Sequence, residues 1–268
     1  MSPLAEQHGI LPVTSPSHSS PAPAPPRHRL YVTAPLVEGQ PAPLEDGQAH
    51  YLRGVLRLSP GDRVSLFNGC DGEWAGEISA LSKSAGEVLP QDLLRPQVEE
   101  TGPWLLFAPL KKDATDYVVQ KAVELGCSAL LPIFTRRTQS QRVRTDRLRA
   151  QVIEASEQCE RLTLPEVAEA RPLDAVLADW PANRRLFVMA ERQNARPAAE
   201  VFAERAGDPA GILVGPEGGL AQSDLEALAA LPLFSPLSLG PRILRAETAV
   251  AAALSVWQAV AGDWRSVT

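Results

Sequence analysis

GILVGPEGGLAQSDLEALAALPLFSPLSLGPRILRAETAVAAALSVWQAV, residues 211–260, carries the pattern that decides the fold. Twice in succession a short apolar run meets a glycine-bearing turn and then a helical segment. The run 211–214 leads into Gly215-Pro216-Glu217-Gly218-Gly219, after which Ser223-Asp224-Leu225-Glu226 reads as a capping box opening a helix. A second run ending at 237–239 leads into Gly240-Pro241-Arg242-Ile243-Leu244-Arg245 and an alanine-rich closing helix over 247–260. Apolar runs of strand length that alternate with helices predict a parallel sheet covered on both faces. The fold class is α/β.

The same rhythm begins at Trp104. Strands are expected over 104–109, 129–134 and 186–190. A helix over 112–125 has Val118, Ala122 and Leu125 on one face and Gly126 as its C-terminal stop. Another over 145–162 has Leu148, Val152, Ala155, Cys159 and Leu162 on its buried side, and a third lies over 197–205. Residues 27–100 read differently. An extended start over 29–33 and a short helix over 49–58 precede the turn Ser59-Pro60-Gly61-Asp62. Asn68-Gly69 and Asp71-Gly72 then give a hairpin signal before a strand over 74–78. This predicts a small β-rich domain, a linker over 95–103 and a larger α/β domain over 101–268. Residues 1–26, rich in proline and without Lys or Arg, are expected to be a disordered extension.

Composition removes several classes of function. The segment 1–26 has neither the basic start nor the apolar stretch of a signal peptide. No run approaches the about 18 apolar residues of a membrane span, so a cytoplasmic protein without membrane contact is expected. The three cysteines lack C-x-x-C spacing, and His50 is the one histidine well inside the body of the chain. Disulfide frameworks, metal sites and histidine-based catalysis therefore have little material here. Net charge is −6, against a globally basic nucleic-acid binder, yet residues 136–149 carry six arginines and one acid. Such a strip holds phosphates locally whatever the global charge, or it is simply a solvated face.

Ligands of parallel α/β sheets bind beyond the carboxyl ends of the strands, and both glycine turns sit there. The first lacks the G-K-[ST] ending of a P-loop and the G-x-G-x-x-G of a dinucleotide site. The second crowds Arg242, Arg245, Glu247 and Thr248 into an apolar context, with the last two at the positive start of a helix. On the helix over 145–162, Glu154, Glu157, Gln158 and Arg161 form one polar stripe, which a Glu157–Arg161 pair alone would explain.

GPEGGL, LGPRILRAETA and EASEQCERLTLPEV, with KKDATDYVVQKAVELG and HYLRGVLRLSPGD, together resemble the RsmE-type 16S ribosomal RNA uracil-N3-methyltransferases of the SPOUT superfamily. The resemblance covers residues 29–262, departs from the pattern at Ala246 and Cys159-Glu160, and leaves the proline-rich extension outside. It implies a PUA-like β-barrel followed by a SPOUT domain with a deep trefoil knot, a homodimer, and methylation of a uridine in 16S rRNA of the small ribosomal subunit from S-adenosylmethionine. Strand-end loops around 186–191, 215–219 and 239–244 would hold the cofactor through Met189, Ala190, Gly215, Pro216, Glu217, Gly218, Gly219, Leu239, Gly240, Ile243, Leu244 and Thr248. Arg245 would stabilise charge on the uracil, with Glu247 or Glu217 as base. Arg29, Arg53, Arg57, Arg136, Arg142, Arg144, Arg147 and Arg161 would contact RNA, and no metal is expected. A SPOUT ribose 2′-O-methyltransferase and a non-catalytic RNA-binding assembly factor are the alternatives.

Overall fold

The computed structural model describes residues 25–140, 142–190 and 195–265. The extension expected over 1–26 therefore falls outside the described residues up to position 24, as does Glu191 of the first strand-end loop.

The N-terminal part is built from β1 (Arg29–Tyr31), β2 (Ala42–Leu44), α1 (Asp46–His50), β3 (Arg63–Phe67), β4 (Glu73–Leu81) and β5 (Gly86–Arg95). They form one sheet in the order β1-β3-β4-β5-β2, antiparallel except for the β1–β3 pair. The hairpin signal is realised as an Asx turn. The Asn68 side-chain carbonyl accepts from the backbone N–H of Cys70 at 3.0 Å and of Asp71 at 2.8 Å. Leu30, Leu44, Leu52, Leu66, Ile78 and Val88 form its core. The expected helix over 49–58 is displaced. Gln48 reaches back to the Glu45 N–H at 3.0 Å and starts the helix earlier. It continues as a π-helical turn, Tyr51–Val55, and ends before Arg57 takes a left-handed φ of 59°.

The C-terminal part comprises β6 (Trp104–Phe107), α2 (Lys112–Glu124), β7 (Ala129–Phe134), α3 (Thr145–Gln158), β8 (Glu166–Val167), β9 (Arg171–Pro172), α4 (Leu173–Ala178), β10 (Arg185–Met189), β11 (Arg196–Pro197), α5 (Ala198–Glu204), β12 (Ala210–Val214), α6 (Gln222–Ala229), β13 (Phe234–Ser238) and α7 (Ala246–Val260). The sheet is parallel throughout, in the order β11-β13-β10-β12-β6-β7-β8 with β9 also on β7. Both faces are buried. Leu105, Phe107, Phe187 and Ile212 meet Trp257 of α7 and helices α2, α3 and α5, while Leu106, Val188 and Leu213 meet α4 and α6. Period-two side chains that are apolar on both faces explain why these strands read as unbroken apolar runs.

Two further helical expectations are corrected. α3 stops at Gln158, because Glu160 turns left-handed with φ 58°, and Cys159 is exposed, not buried. The N-cap of α6 is Ala221, two residues ahead of Ser223. The short α4 and the two-residue strands offered no period long enough to read.

Between the two sheets the turn after α3 is clamped. Buried Glu73 pairs with Arg29 at 3.0 Å and with Arg95. The Arg29 guanidinium donates to the carbonyls of Ser156 and Arg161, each at 2.6 Å, and lies over the Phe67 ring at 3.5 Å. Arg95 donates to the Glu160 carbonyl at 2.7 Å. These cations meet the unpaired carbonyl end of a helix, where positive charge is favoured. Glu157 accepts the Tyr31 N–H at 2.9 Å, and burial raises its carboxyl above the ordinary 4.5 although that bond and nearby Arg29 act against the rise.

A raised folded-state carboxyl means that the folded chain holds the proton where the unfolded chain has lost it. This contribution to stability therefore falls as pH climbs from about the ordinary value through the raised one. Glu157→Gln keeps an acceptor for Tyr31 and cannot ionise. Its urea midpoint is expected to vary less with pH between pH 4.5 and pH 8 than the parent's, and an identical pH profile would contradict the assignment.

Candidate active site

β13, β10 and β12 lie side by side, with Met189 beside Leu237 and Val188 beside Leu213, so their carboxyl ends come together. Beyond those ends is a cavity of about 940 Å³, within the range of about 300–1,000 Å³ usual for small-molecule sites. The loops after β10, β12 and β13 supply nearly all of its wall. After β12, the Gly219 N–H closes a turn onto the Pro216 carbonyl at 2.8 Å, and Gly219 sits at φ 69°. After β13, Gly240 takes φ 104°, which glycine alone tolerates cheaply. A Cβ on Gly215 would come within 3.2 Å of the Leu220 side chain, so this loop is already full on its inner side.

The cavity has two characters. Met189, Leu237, Leu239 and Leu244 form an apolar wall continuous with the larger core. Charge comes from Glu217, Arg242 and Arg245 on the two loops and from Arg137 across from them. Arg137 was not singled out by sequence reasoning. It lies in the turn after β7, where the Thr135 N–H donates to the Thr138 hydroxyl at 2.9 Å. Its guanidinium donates to the Gly218 carbonyl at 2.9 Å. The available signal was its place: a basic residue just past a strand end, at the same edge of the sheet as the two glycine turns.

The turn is fixed from below by Asp224, which is 1% exposed. Its carboxylate accepts the Ala221 N–H at 2.9 Å and the Arg136 N–H at 3.4 Å. Asp224 thus ties the start of α6, the glycine loop preceding it and the arginine turn into one unit.

Of the residues expected to hold a cofactor, all but Thr248 line the cavity. Arg245 lines it as the residue preceding α7, exposed and with extended backbone. Glu247 and Thr248 are not brought there. They sit in the first turn of α7, outside the lining, where Glu247 meets the positive helix end. Glu217 lines the cavity but is exposed, so the burial that a base role calls for is absent in a single chain.

The expected RNA contacts divide. Arg29 and Arg161 are corrected: Arg29 is half-buried with its guanidinium held in the clamp, and Arg161 is buried on Glu100 at 2.6 Å and the Val123 carbonyl at 3.1 Å, so both charges are already engaged within the chain. The expected Glu157–Arg161 pair does not form. Arg53 and Arg57 are exposed, with no ion pair among the described residues, beside exposed Tyr51. In the strip, Arg136 pairs with Asp174, Arg144 with Asp146, Arg147 with Asp116 and Arg149 with Glu169. Exposed Arg142 has no ion pair among the described residues. Surface pairs of this kind contribute little, about 0–1 kcal/mol, and exchange readily for another anion.

A second cavity, about 670 Å³, lies between the N-terminal sheet and the end of α3, and among the described residues its charges balance: Arg27, Arg29 and Arg95 with Glu73, Glu157 and Glu160. Among the described residues no cluster of three or more His, Cys, Asp or Glu could hold a metal, and no helix is long and apolar enough to cross a membrane.

Comparison with known proteins agrees with this division. Residues 100–258 match the family model of an RNA methyltransferase domain, and residues 44–90 that of an RNA methyltransferase PUA domain. Ribosomal RNA small subunit methyltransferase E of Rickettsia conorii is 33% identical over 85% of this chain and 93% of its own length. The protein of the same name from Synechocystis is 31% identical over 91% and 80%. In structure, the Neisseria gonorrhoeae ribosomal RNA small subunit methyltransferase E bound to S-adenosyl methionine superposes with a TM-score of 0.75, at 29% identity, over 86% of this chain and 96% of that one.

Because the Asp224 carboxylate closes back onto the N-cap N–H of Ala221 and also anchors the arginine turn, Asp224→Ala is expected to cost about 1–2 kcal/mol of stability. Asp224→Asn, which keeps one acceptor oxygen, is expected to cost less. Urea unfolding followed by circular dichroism measures both, and an alanine variant with the parental midpoint would contradict the account.

Proposed function

We propose, from the premise that this chain belongs to the RNA methyltransferase family, that it transfers the methyl group of S-adenosylmethionine to N3 of a uridine in the 16S rRNA of the small ribosomal subunit. The observation that carries this reading is the single cavity shared by the loops 215–219 and 239–245. It suits the cofactor. The apolar wall of Met189, Leu237, Leu239 and Leu244 fits a flat purine, and the glycine loop leaves backbone groups approachable for the rest. Bound there, the sulfonium supplies an electrophilic methyl group.

The residues around it must make uracil N3 a nucleophile, which requires removal of its imide proton. Arg245 is assigned to the uracil carbonyl oxygens, where a guanidinium stabilises the charge left when the proton departs. Glu217 is the carboxylate of the cavity wall and is preferred to Glu247 as acceptor of the N3 proton. A second copy of the chain would bury it. In the homodimer taken here the partner closes this side and covers Ile243 as well, 62% exposed at the cavity rim.

The finer fold assignments belong to the same reading. Residues 27–100 are taken as a PUA-like barrel and 101–268 as the methyltransferase domain. Register shifts along β4 and β5 support barrel curvature, as does Gly76, where a Cβ would lie 2.6 Å from Val88. The deep knot is supported by the strand order. β13 lies outside β10, yet α7 returns to pack on β12 and α2, so the segment 239–245 has to cross between neighbouring strand ends. Tyr51, Arg53 and Arg57 form the RNA-facing edge of the barrel together with the strip containing Arg136, Arg142, Arg144 and Arg147. The enzyme acts in the cytoplasm, where ribosomal subunits are.

The direct test uses labelled S-adenosylmethionine and small subunits that lack the modification, with the labelled nucleotide mapped. Label at uridine N3 is expected; label on a ribose would select the 2′-O-methyltransferase reading, and none would select the binding factor. Arg245→Ala is expected to lower turnover by about 10²–10³-fold while leaving cofactor affinity intact, and full activity would refute its role. Neutralising Arg142, Arg144 and Arg147 together is expected to weaken RNA binding and reduce the salt slope by about 0.9 for each phosphate that is no longer neutralised. An unchanged slope would count against the strip.

A further inference from the structure

Among the described residues Arg137 is the one charged residue of the cavity wall that comes from outside the loops after β10, β12 and β13. Its neighbours Arg136, Arg144, Arg147 and Arg149 each lie against a carboxylate, whereas Arg137 has no ion pair among the described residues. It is held nonetheless. The Thr135–Thr138 turn and Asp224 fix its backbone neighbours, and one guanidinium N–H donates to the Gly218 carbonyl. Its stem lies along the glycine loop closely enough that a Cβ on Gly218 would sit 3.6 Å from the Arg137 Cβ and 3.8 Å from its Cδ. A guanidinium has five N–H donors in a fixed fork, and one of them is used here. What remains is a positioned cation facing a cavity whose apolar wall is built by other residues.

A cavity of this kind suits a molecule with a flat apolar ring and an anionic end. Resting on the proposed function, we propose that Arg137 binds the carboxylate at the methionine end of S-adenosylmethionine, and that its bond to Gly218 couples the shape of the glycine loop to that contact. Arg242 and Arg245 lie on the loop that also supplies apolar wall, and Arg245 is assigned to the uracil. Arg137 is set against the glycine loop, where a tail leaving the purine wall would extend. The guanidinium–carboxylate pair is a charge-assisted bond of favourable planar geometry.

Two nucleosides separate this contact from all others in the cavity. S-adenosylhomocysteine carries the carboxylate; 5′-methylthioadenosine has the same purine, ribose and sulfur but lacks the amino-acid tail, ammonium and carboxylate alike, so the Arg137 variants supply the part of the difference that belongs to the carboxylate. Titration calorimetry of the full chain should find the first bound more tightly. Arg137→Ala should weaken S-adenosylhomocysteine by about ten- to a hundredfold, leave 5′-methylthioadenosine within about twofold, and so erase the preference. Arg137→Lys, which keeps the charge, should restore part of it. Equal weakening of both ligands would overturn the proposal and leave Arg137 as a support of the loop. Unchanged affinity for both, with a raised KM for ribosomal subunits, would also overturn it and assign the cation to an RNA phosphate. A parent chain that binds neither nucleoside would instead sink the methyltransferase reading on which the proposal rests.

Discussion

The chain leaves β13 on the far side of β10 and must bring α7 back onto α2, α5 and β12. Everything at the candidate site follows from that return. The segment from Leu239 to Arg245 has to cross the carboxyl ends of neighbouring strands, so it lies against the loops after β10 and β12 instead of standing in solvent. Its composition answers to both surroundings. Leu239 and Leu244 pack against the larger core, Gly240 supplies a left-handed turn at φ 104°, and Arg242 and Arg245 stay at the opening. A segment that merely joined a strand to a helix would need none of these together.

The clamp between the two sheets makes a second demand of the same kind. Glu73 holds Arg29 and Arg95, and both arginines hold carbonyls at the end of α3. Removing Glu73 would strip both guanidiniums of their carboxylate, and a charge left unpaired away from water is far more costly than a pair never placed there. The bond geometry therefore fixes the N-terminal sheet against α3, and with it the distance from Arg53 and Arg57 to the strip that starts beside the cavity. For an enzyme that must seat a large RNA and present one nucleotide, such a fixed span serves orientation, where small misplacements cost rate.

The parallel sheet was legible because its strands are buried on both faces and its helices carry a 3.6-residue period long enough to read. Both glycine turns were legible because a ligand site beyond strand ends restricts residue choice to a few types. Arg29 and Arg161 were misread for a physical reason: a surface arginine and an arginine that closes a turn between two domains look identical until their partners, 44 residues away at Glu73 and within the linker at Glu100, are known. Glu247 lies outside the cavity lining, in the first turn of α7, because a helix start satisfies its charge as well as a substrate would. Arg137 stayed hidden inside a run of arginines whose other members mostly pair with surface acids. Short elements such as α4, and the π-helical turn after α1, depend on contacts distant in sequence and left no local period.

The charge of the cavity wall bears on why an acidic protein can act on RNA. Among the described residues three guanidiniums and one carboxylate line it, in a chain of net charge −6. The wall therefore opposes a bare sulfonium and favours an anion, and the two reactants of the proposed chemistry are of those two kinds. A carboxylate on the cofactor, held by Arg137, would neutralise one guanidinium and relieve that opposition, leaving Arg242 and Arg245 positive toward the base. Positive potential at that point lowers the cost of deprotonating uracil N3 before any proton acceptor is considered, which eases the task of an exposed carboxylate such as Glu217. Phosphate binding needs only local cations within a Debye length of about 10 Å, so the negative charge elsewhere on the molecule is no obstacle to seating the strand.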